Sequence, residues 1–151
     1  FSAAVPFALN RSYVLRVEEE FLVADPARYA RFALLEAPDA LSGTVTFTVA
    51  APCTVHGFVG WFKAELTPDI ALDTRPGIAT HWGQLLFPIA PTACLAGDRL
   101  ILDLALAMDP EYRSSFHWTG RQERAGATVG RFAHDTAARF EAAHGRPKEA
   151  S

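Results

Sequence analysis

The chain has 151 residues, half of them apolar and 21% charged, which excludes a disordered or fibrous protein and suits one domain burying roughly 70% of the surface its unfolded form exposes. A net charge of −3 argues against a nucleic-acid partner, because a phosphate-tracking surface needs an excess of clustered Lys and Arg. No apolar run approaches the roughly 18 residues of a membrane span and no signal peptide is visible, so no membrane partner and a cytoplasmic location are expected.

In chain order, residues 1–24 read as a lead-in segment with a short strand over 14–23. Its triplet Glu18-Glu19-Glu20 reads as a solvated face, the alternative being paired carboxylates for acid/base work. The start at Phe1 instead of Met reads as a domain cut from a longer protein. Asp25-Pro26-Ala27 offers an N-cap with Pro at the first helical position, which predicts one helical turn. Residues 29–36 then carry the chain into strand, with a longer helix as the alternative. A strand follows over 44–49, where Val45, Phe47 and Val49 alternate with threonines. Residues 55–62 are apolar on both faces and hold Gly57 and Gly60, the mark of a central or strongly curved strand.

Thr67-Pro68-Asp69 and Arg75-Pro76-Gly77 are turn signals around a weak strand over 70–74. The next strand is expected over 81–89, halted by Pro88 and Pro91, and Ala96-Gly97-Asp98 makes a tight turn. Residues 99–108 alternate, with Leu100, Leu102, Leu104 and Leu106 inward. Residues 112–120 close the sheet, Phe116 and Trp118 sharing a face. The tail changes period: Val129, Phe132, Ala133, Thr136, Ala137 and Phe140 recur at three and four, so a helix is expected over 129–144, stopped by Gly145 and Pro147 and supported by an Asp135–Arg139 pair. The nearby Arg121, Arg124 and Arg131 make a partner-binding arm the alternative to packing Phe132 and Phe140 on the domain. The expectation is an all-β fold, a barrel or sandwich of antiparallel strands with a C-terminal α-helix. Its parts are the lead-in 1–24, a β-barrel domain over 25–122, and a helix and tail over 123–151.

Cys53 and Cys94 stand on different strands without metal-ligand spacing and read as buried free thiols. The histidines His56, His81, His117, His134 and His144 show no metal-ligand spacing either, so no metal is expected. No Gly-x-Ser-x-Gly elbow, phosphate-cradling Gly-rich loop or Gly-x-Gly-x-x-Gly turn is present. His81 differs from the other histidines because it lies where a Pro/Gly loop meets a strand, held by the sheet yet able to reach out. The candidate site is therefore the loop Thr80-His81-Trp82.

Thr80-His81-Trp82, followed by Gly83-Gln84 and an apolar strand, resembles the Thr-His-Trp loop of the protein arginine methyltransferases. Val55-His56-Gly57-Phe58-Val59-Gly60-Trp61-Phe62 looks like the strand before that loop. Asp73-Thr74-Arg75-Pro76 is similar to the family's Ser-Thr-x-Pro approach, with Asp73 in place of Ser. Ala96-Gly97-Asp98-Arg99-Leu100 looks like the following turn and strand, and Val23-Ala24-Asp25-Pro26 is similar to the segment where the family's barrel begins. The motifs fall in the family's order over about residues 15–118.

This resemblance implies the substrate-binding, dimer-supporting β-barrel half of an S-adenosylmethionine-dependent protein arginine N-methyltransferase. It would not be competent alone. The implied partners are an N-terminal Rossmann-like domain, a protein or peptide substrate and a second copy in a homodimer. S-adenosylmethionine would bind the full-length enzyme and not this chain. The family's substrate-holding glutamates belong to the other half, and the run Glu18 to Glu20 does not match them. The resemblance makes His81 catalytic, holding a carboxylate in place or taking a proton through it, and makes Thr80 and Trp82 substrate-binding, with Trp82 walling the site. The structural alternatives are an interdomain hydrogen bond for His81 and plain core for Trp82. The rival functions are the barrel of a small-molecule or peptide methyltransferase, left open because Asp69 and Asp73 are offset by Arg75, and a non-enzymatic binding or oligomerisation module.

Overall fold

The alternating stretch around Val45, Phe47 and Val49 forms strand β2 (Ala40–Thr48) in a computed structural model that describes residues 4–137. Before it come a short helix, α1 (Ala4–Leu9), and strand β1 (Tyr13–Leu15). After it come β3 (Cys53–Gly60), β4 (Lys63–Thr67), β5 (Ile70–Asp73) and β6 (Gln84–Cys94). The described chain ends with β7 (Arg99–Met108), β8 (Ser114–Arg124) and β9 (Ala127–Asp135).

All pairings are antiparallel. One sheet has the order β1-β6-β3, a second β2-β7-β8-β9, and β4-β5 is a separate hairpin. The two larger sheets do not close on each other; they stack as a sandwich. Val55, Phe58, Phe87 and Ile89 from the first meet Val45, Leu100, Leu102, Leu104 and Trp118 from the second. The all-β expectation holds, and the leucines at 100, 102 and 104 face this core as their alternation requires.

The tail is where local pattern and fold part. Residues 129–135, expected to begin a helix, belong to β9, whose alternating burial puts Phe132 inward and Arg131 outward. The remainder of that expected helix, with Arg139, Phe140 and His144, lies outside the described residues. The strand wins because β8 has a free edge and a tight turn delivers the chain to it. Arg124 pairs with Ala127 across Ala125 and Gly126, whose φ values of 49° and 82° are those a two-residue hairpin turn needs. Residues 13–15 and 127–135 are thus integral to the two sheets.

Three smaller expectations also change. Pro88 and Pro91 do not halt β6: β1 pairs with it only at residues 84–86, and the β3 register shifts between Val55 and Gly57, so both prolines occupy open edge or bulge. No helical turn follows Asp25, and residues 29–33 join no strand; the turn is a 3-10 segment at Leu34–Glu36. Tertiary docking overrides the cap signal there, since the Tyr29 hydroxyl donates to the Leu104 carbonyl at 2.7 Å and its ring packs over Gly43. The lead-in strand shrinks to Tyr13–Leu15.

Arg124, a candidate arm residue in the sequence, is turned to structural use. It donates to Asp98 through Nε at 2.9 Å and Nη2 at 2.7 Å, while Leu95 N and Gln122 Nε2 donate to the same carboxylate at 2.9 and 2.8 Å. Asp98 is 2% exposed. This cluster ties the β6–β7 turn to β8, and the Arg124 bonds, with that from Leu95, hold the Asp98 carboxyl well below the usual carboxylate range. A depressed folded pKa contributes stability that is complete above the unfolded value of about 3.9 and disappears as pH falls through the folded value. Asp98→Asn is therefore expected to lower the thermal midpoint at pH 7 by roughly 5–10 °C. It should also flatten the loss of stability below about pH 4, as measured by thermal melts across that range.

Candidate functional site

The Thr80–Trp82 loop is built from both of its ends inward. Thr74, fully buried at the end of β5, accepts from Phe62 N at 3.1 Å and donates through the same hydroxyl to Phe62 O at 3.0 Å. Its own N–H also donates to Phe62 O, at 3.0 Å. The Thr74 carbonyl accepts from buried Gln84 Nε2 at 2.8 Å, and Gln84 Oε1 accepts from Val17 N at 2.8 Å. One polar chain thus joins the exit of β3, the end of β5, the start of β6 and the lead-in segment. Every buried group in it is satisfied, which is what makes such a network rigid.

The loop between these anchors is pinned further. Asp73 accepts from Arg75 N at 3.0 Å and faces its guanidinium at 3.6 Å, so it serves its own turn. Pro76 is buried. Gly77 has φ +84°, and a Cβ there would lie 3.4 Å from the Glu19 carboxylate. Arg16 Nη2 donates to the Thr80 carbonyl at 3.0 Å, and Thr80 Oγ1 donates to the Trp82 carbonyl at 2.9 Å. At Gly83 a Cβ would sit 2.8 Å from the Leu15 carbonyl, so backbone contact closes the far end.

The three expected site residues are brought together, in a loop and not at the head of a strand, since β6 begins at Gln84. Thr80 shapes the turn through its hydroxyl. His81 is exposed and makes no hydrogen bond among the described residues. Trp82 is 53% exposed and meets Phe62 edge-on, with centroids 6.4 Å apart. Plain core is therefore excluded for Trp82. What results is a rigid platform that turns an imidazole and an indole outward, able to hydrogen-bond and wall off a group brought to it.

Sequence reasoning did not find Arg16, Phe62, Thr74 or Gln84 as parts of this platform. Phe62, Thr74 and Gln84 stand in the stretches that carry the family resemblance, where nothing local assigned them a scaffold role; Arg16 carried no signal. All three residues of the acidic triplet are exposed, and Glu19 also lies against Gly77. The other described histidines are elsewhere: His56 is exposed on β3, His117 Nδ1 lies 3.4 Å from Asp135, and His134 packs on Trp118 with its pKa lowered by burial.

Among the described residues no three His, Cys, Asp or Glu side chains gather as a metal would need. Two open clefts, of about 340 and 260 Å³, share Asp103 and Thr119 on the outer face of the four-stranded sheet, away from the loop. Neither is lined by a Gly-rich turn at a strand end.

No family model and no curated protein matches the sequence. Among solved structures the chain is similar to the Trypanosoma brucei PRMT1 enzyme-prozyme heterotetrameric complex with AdoHcy, at 19% identity and a TM-score of 0.77. The likeness covers 89% of this chain and 46% of that one. The domain therefore has a PRMT-like β-fold and spans less than half the length of the protein it is similar to.

Proposed function

We propose that this chain is the substrate-side β-domain of an S-adenosylmethionine-dependent protein arginine methyltransferase-like enzyme, completed by a Rossmann-like half outside these residues. The observation that carries the reading is the Thr80–Trp82 loop: a hydrogen-bonded scaffold leaves His81 and Trp82 exposed on a PRMT-like fold. Exposed apolar side chains beside it, Val14, Phe21 and Phe62, offer the other half a docking face.

The chemistry explains why one histidine is a positioning group here. A guanidinium has a pKa of roughly 12.5–13.8, so presenting its neutral nitrogen near pH 7 costs about 8 kcal/mol. An imidazole cannot supply that. Carboxylates of the other half, alignment of the nucleophile and late loss of the proton share it. His81 contributes by hydrogen-bonding one of those carboxylates and fixing its orientation. Trp82, held edge-on by Phe62, offers its face to the cationic group, worth about 0.5–2 kcal/mol.

His81→Ala in the full-length enzyme is expected to reduce kcat about tenfold or more, equivalent to roughly 1.4 kcal/mol, with KM nearly unchanged and the thermal midpoint preserved. Steady-state kinetics on an arginine-containing peptide would measure it. Unchanged turnover would sink the reading and leave the domain a binding or oligomerisation module.

A further inference from the structure

The β3–β6 ladder places Cys53 directly opposite Cys94. Opposed residues of an antiparallel pair project from the same face, with Cα atoms about 4.5–5.5 Å apart. That lies inside the roughly 4.4–6.8 Å a disulfide spans. Both thiols are free. They are also unlike: Cys94 is 3% exposed, whereas Cys53 is only half-buried. Burial pushes the Cys94 thiol up, and Cys53 and Asp98 push it the same way against Arg124.

Little holds Cys94 Sγ where it is. It makes a long contact to the Thr92 carbonyl, 3.7 Å, and receives Gln122 Nε2 at 3.6 Å. That amide nitrogen keeps better acceptors in the Ala93 carbonyl, at 2.9 Å, and Asp98, at 2.8 Å, so rotation of the sulfur strands no buried donor.

We propose that Cys53 and Cys94 form a dithiol site that closes to a cross-strand disulfide by exchange with a small-molecule disulfide of the glutathione class. The Cys53 thiolate attacks one sulfur of the small disulfide, whose S–S bond breaks and expels one small thiolate, leaving a mixed disulfide on Cys53. Cys94, giving its proton to solvent, attacks the Cys53 sulfur and expels the second small thiolate. Two protein thiols are oxidised and one small disulfide is reduced to two thiols.

The product closes a chain segment that contains the β4–β5 hairpin and the Thr80–Trp82 loop, and it clamps β3 to β6 beside the register shift at Val55 and Gly57. Oxidation therefore locks the sheet that carries the loop by restricting the unfolded chain. The site does not depend on the methyltransferase reading.

The test equilibrates the 151-residue chain against glutathione buffers of rising oxidised fraction, quenches by alkylation and reads intact mass and thermal midpoint. The expected product is a monomer lighter by two hydrogens that resists alkylation and melts about 10 °C higher. Cys94→Ala should stop at a glutathione adduct on Cys53. A wild-type chain that stalls at that adduct, pairs between molecules, keeps both thiols in the most oxidising buffer or melts lower when oxidised would overturn the proposal. The wild-type measurement decides this even if the variant fails to fold.

Discussion

Trp118→Ala is expected to lower the stability of the domain by about 4 kcal/mol, a large share of the roughly 5–15 kcal/mol a domain has. Trp118 is fully buried on the inner face of β8. Its ring packs on Phe87 at 5.4 Å and His134 at 5.5 Å, and its Nε1 donates to the Pro88 carbonyl at 3.0 Å. Phe87 and Pro88 belong to β6, the strand that starts at the end of the candidate loop. The indole is thus a bond between the two sheets as well as core volume. Truncation leaves a cavity and removes the donor from a carbonyl that Pro88 cannot turn to solvent without moving β6. Trp118→Phe keeps most of the packing and should lose only about 1–2 kcal/mol. Urea unfolding followed by circular dichroism measures both. A loss under about 1 kcal/mol for the alanine variant, at unchanged m-value, would show that the sheets do not meet there.

Gly120→Ala should destabilise by about 3 kcal/mol or more, although it adds one methyl group to the strand. Gly120 lies between Leu102 of β7 and Phe132 of β9 in the ladder. A Cβ there would enter the space of the Ile101 carbonyl oxygen and of the Phe132 ring. The ring lies across the glycine and reaches Phe58 of the opposite sheet, 5.4 Å between centroids. A flexible side chain can yield, whereas a carbonyl engaged in its own strand cannot. Adding Phe132→Ala should therefore fail to restore the stability of Gly120→Ala, and the double variant should unfold at lower urea than either single change. Restoration by Phe132→Ala would mean that the ring alone excludes the methyl group.

Both results bear on the loop, because core and loop share β6. The Thr80–Trp82 platform is rigid only while Gln84 stays in place, and Gln84 stays while β6 is held by β1, β3 and Trp118. Variants that loosen the core should reach the candidate site through that strand.

Much of this was legible in the chain itself. Val45, Phe47 and Val49 alternate, and so do Leu100, Leu102 and Leu104; a period of two fixes which face is buried whatever the partner strand. The position of Thr80-His81-Trp82 between turn signals and an apolar strand was equally local. Three features were decided only in the folded molecule. The tail carries a helical spacing of small apolar residues, yet its inward side chain Phe132 is claimed by Phe58 and by the free edge of β8. The turn that brings it there uses Ala125 at φ 49° instead of the Asn or Asp that usually announces such a hairpin. Gln84, Thr74 and Arg16 act as scaffold only because segments far apart in sequence meet at their polar atoms. Cys53 and Cys94 become a pair only through the β3–β6 register. The sequence alone determined the alternating strands β2 and β7 and the loop, because side-chain alternation and turn chemistry are local. The tertiary structure decided the tail, the scaffold and the thiol pair, because each depends on which distant backbone supplies the partner.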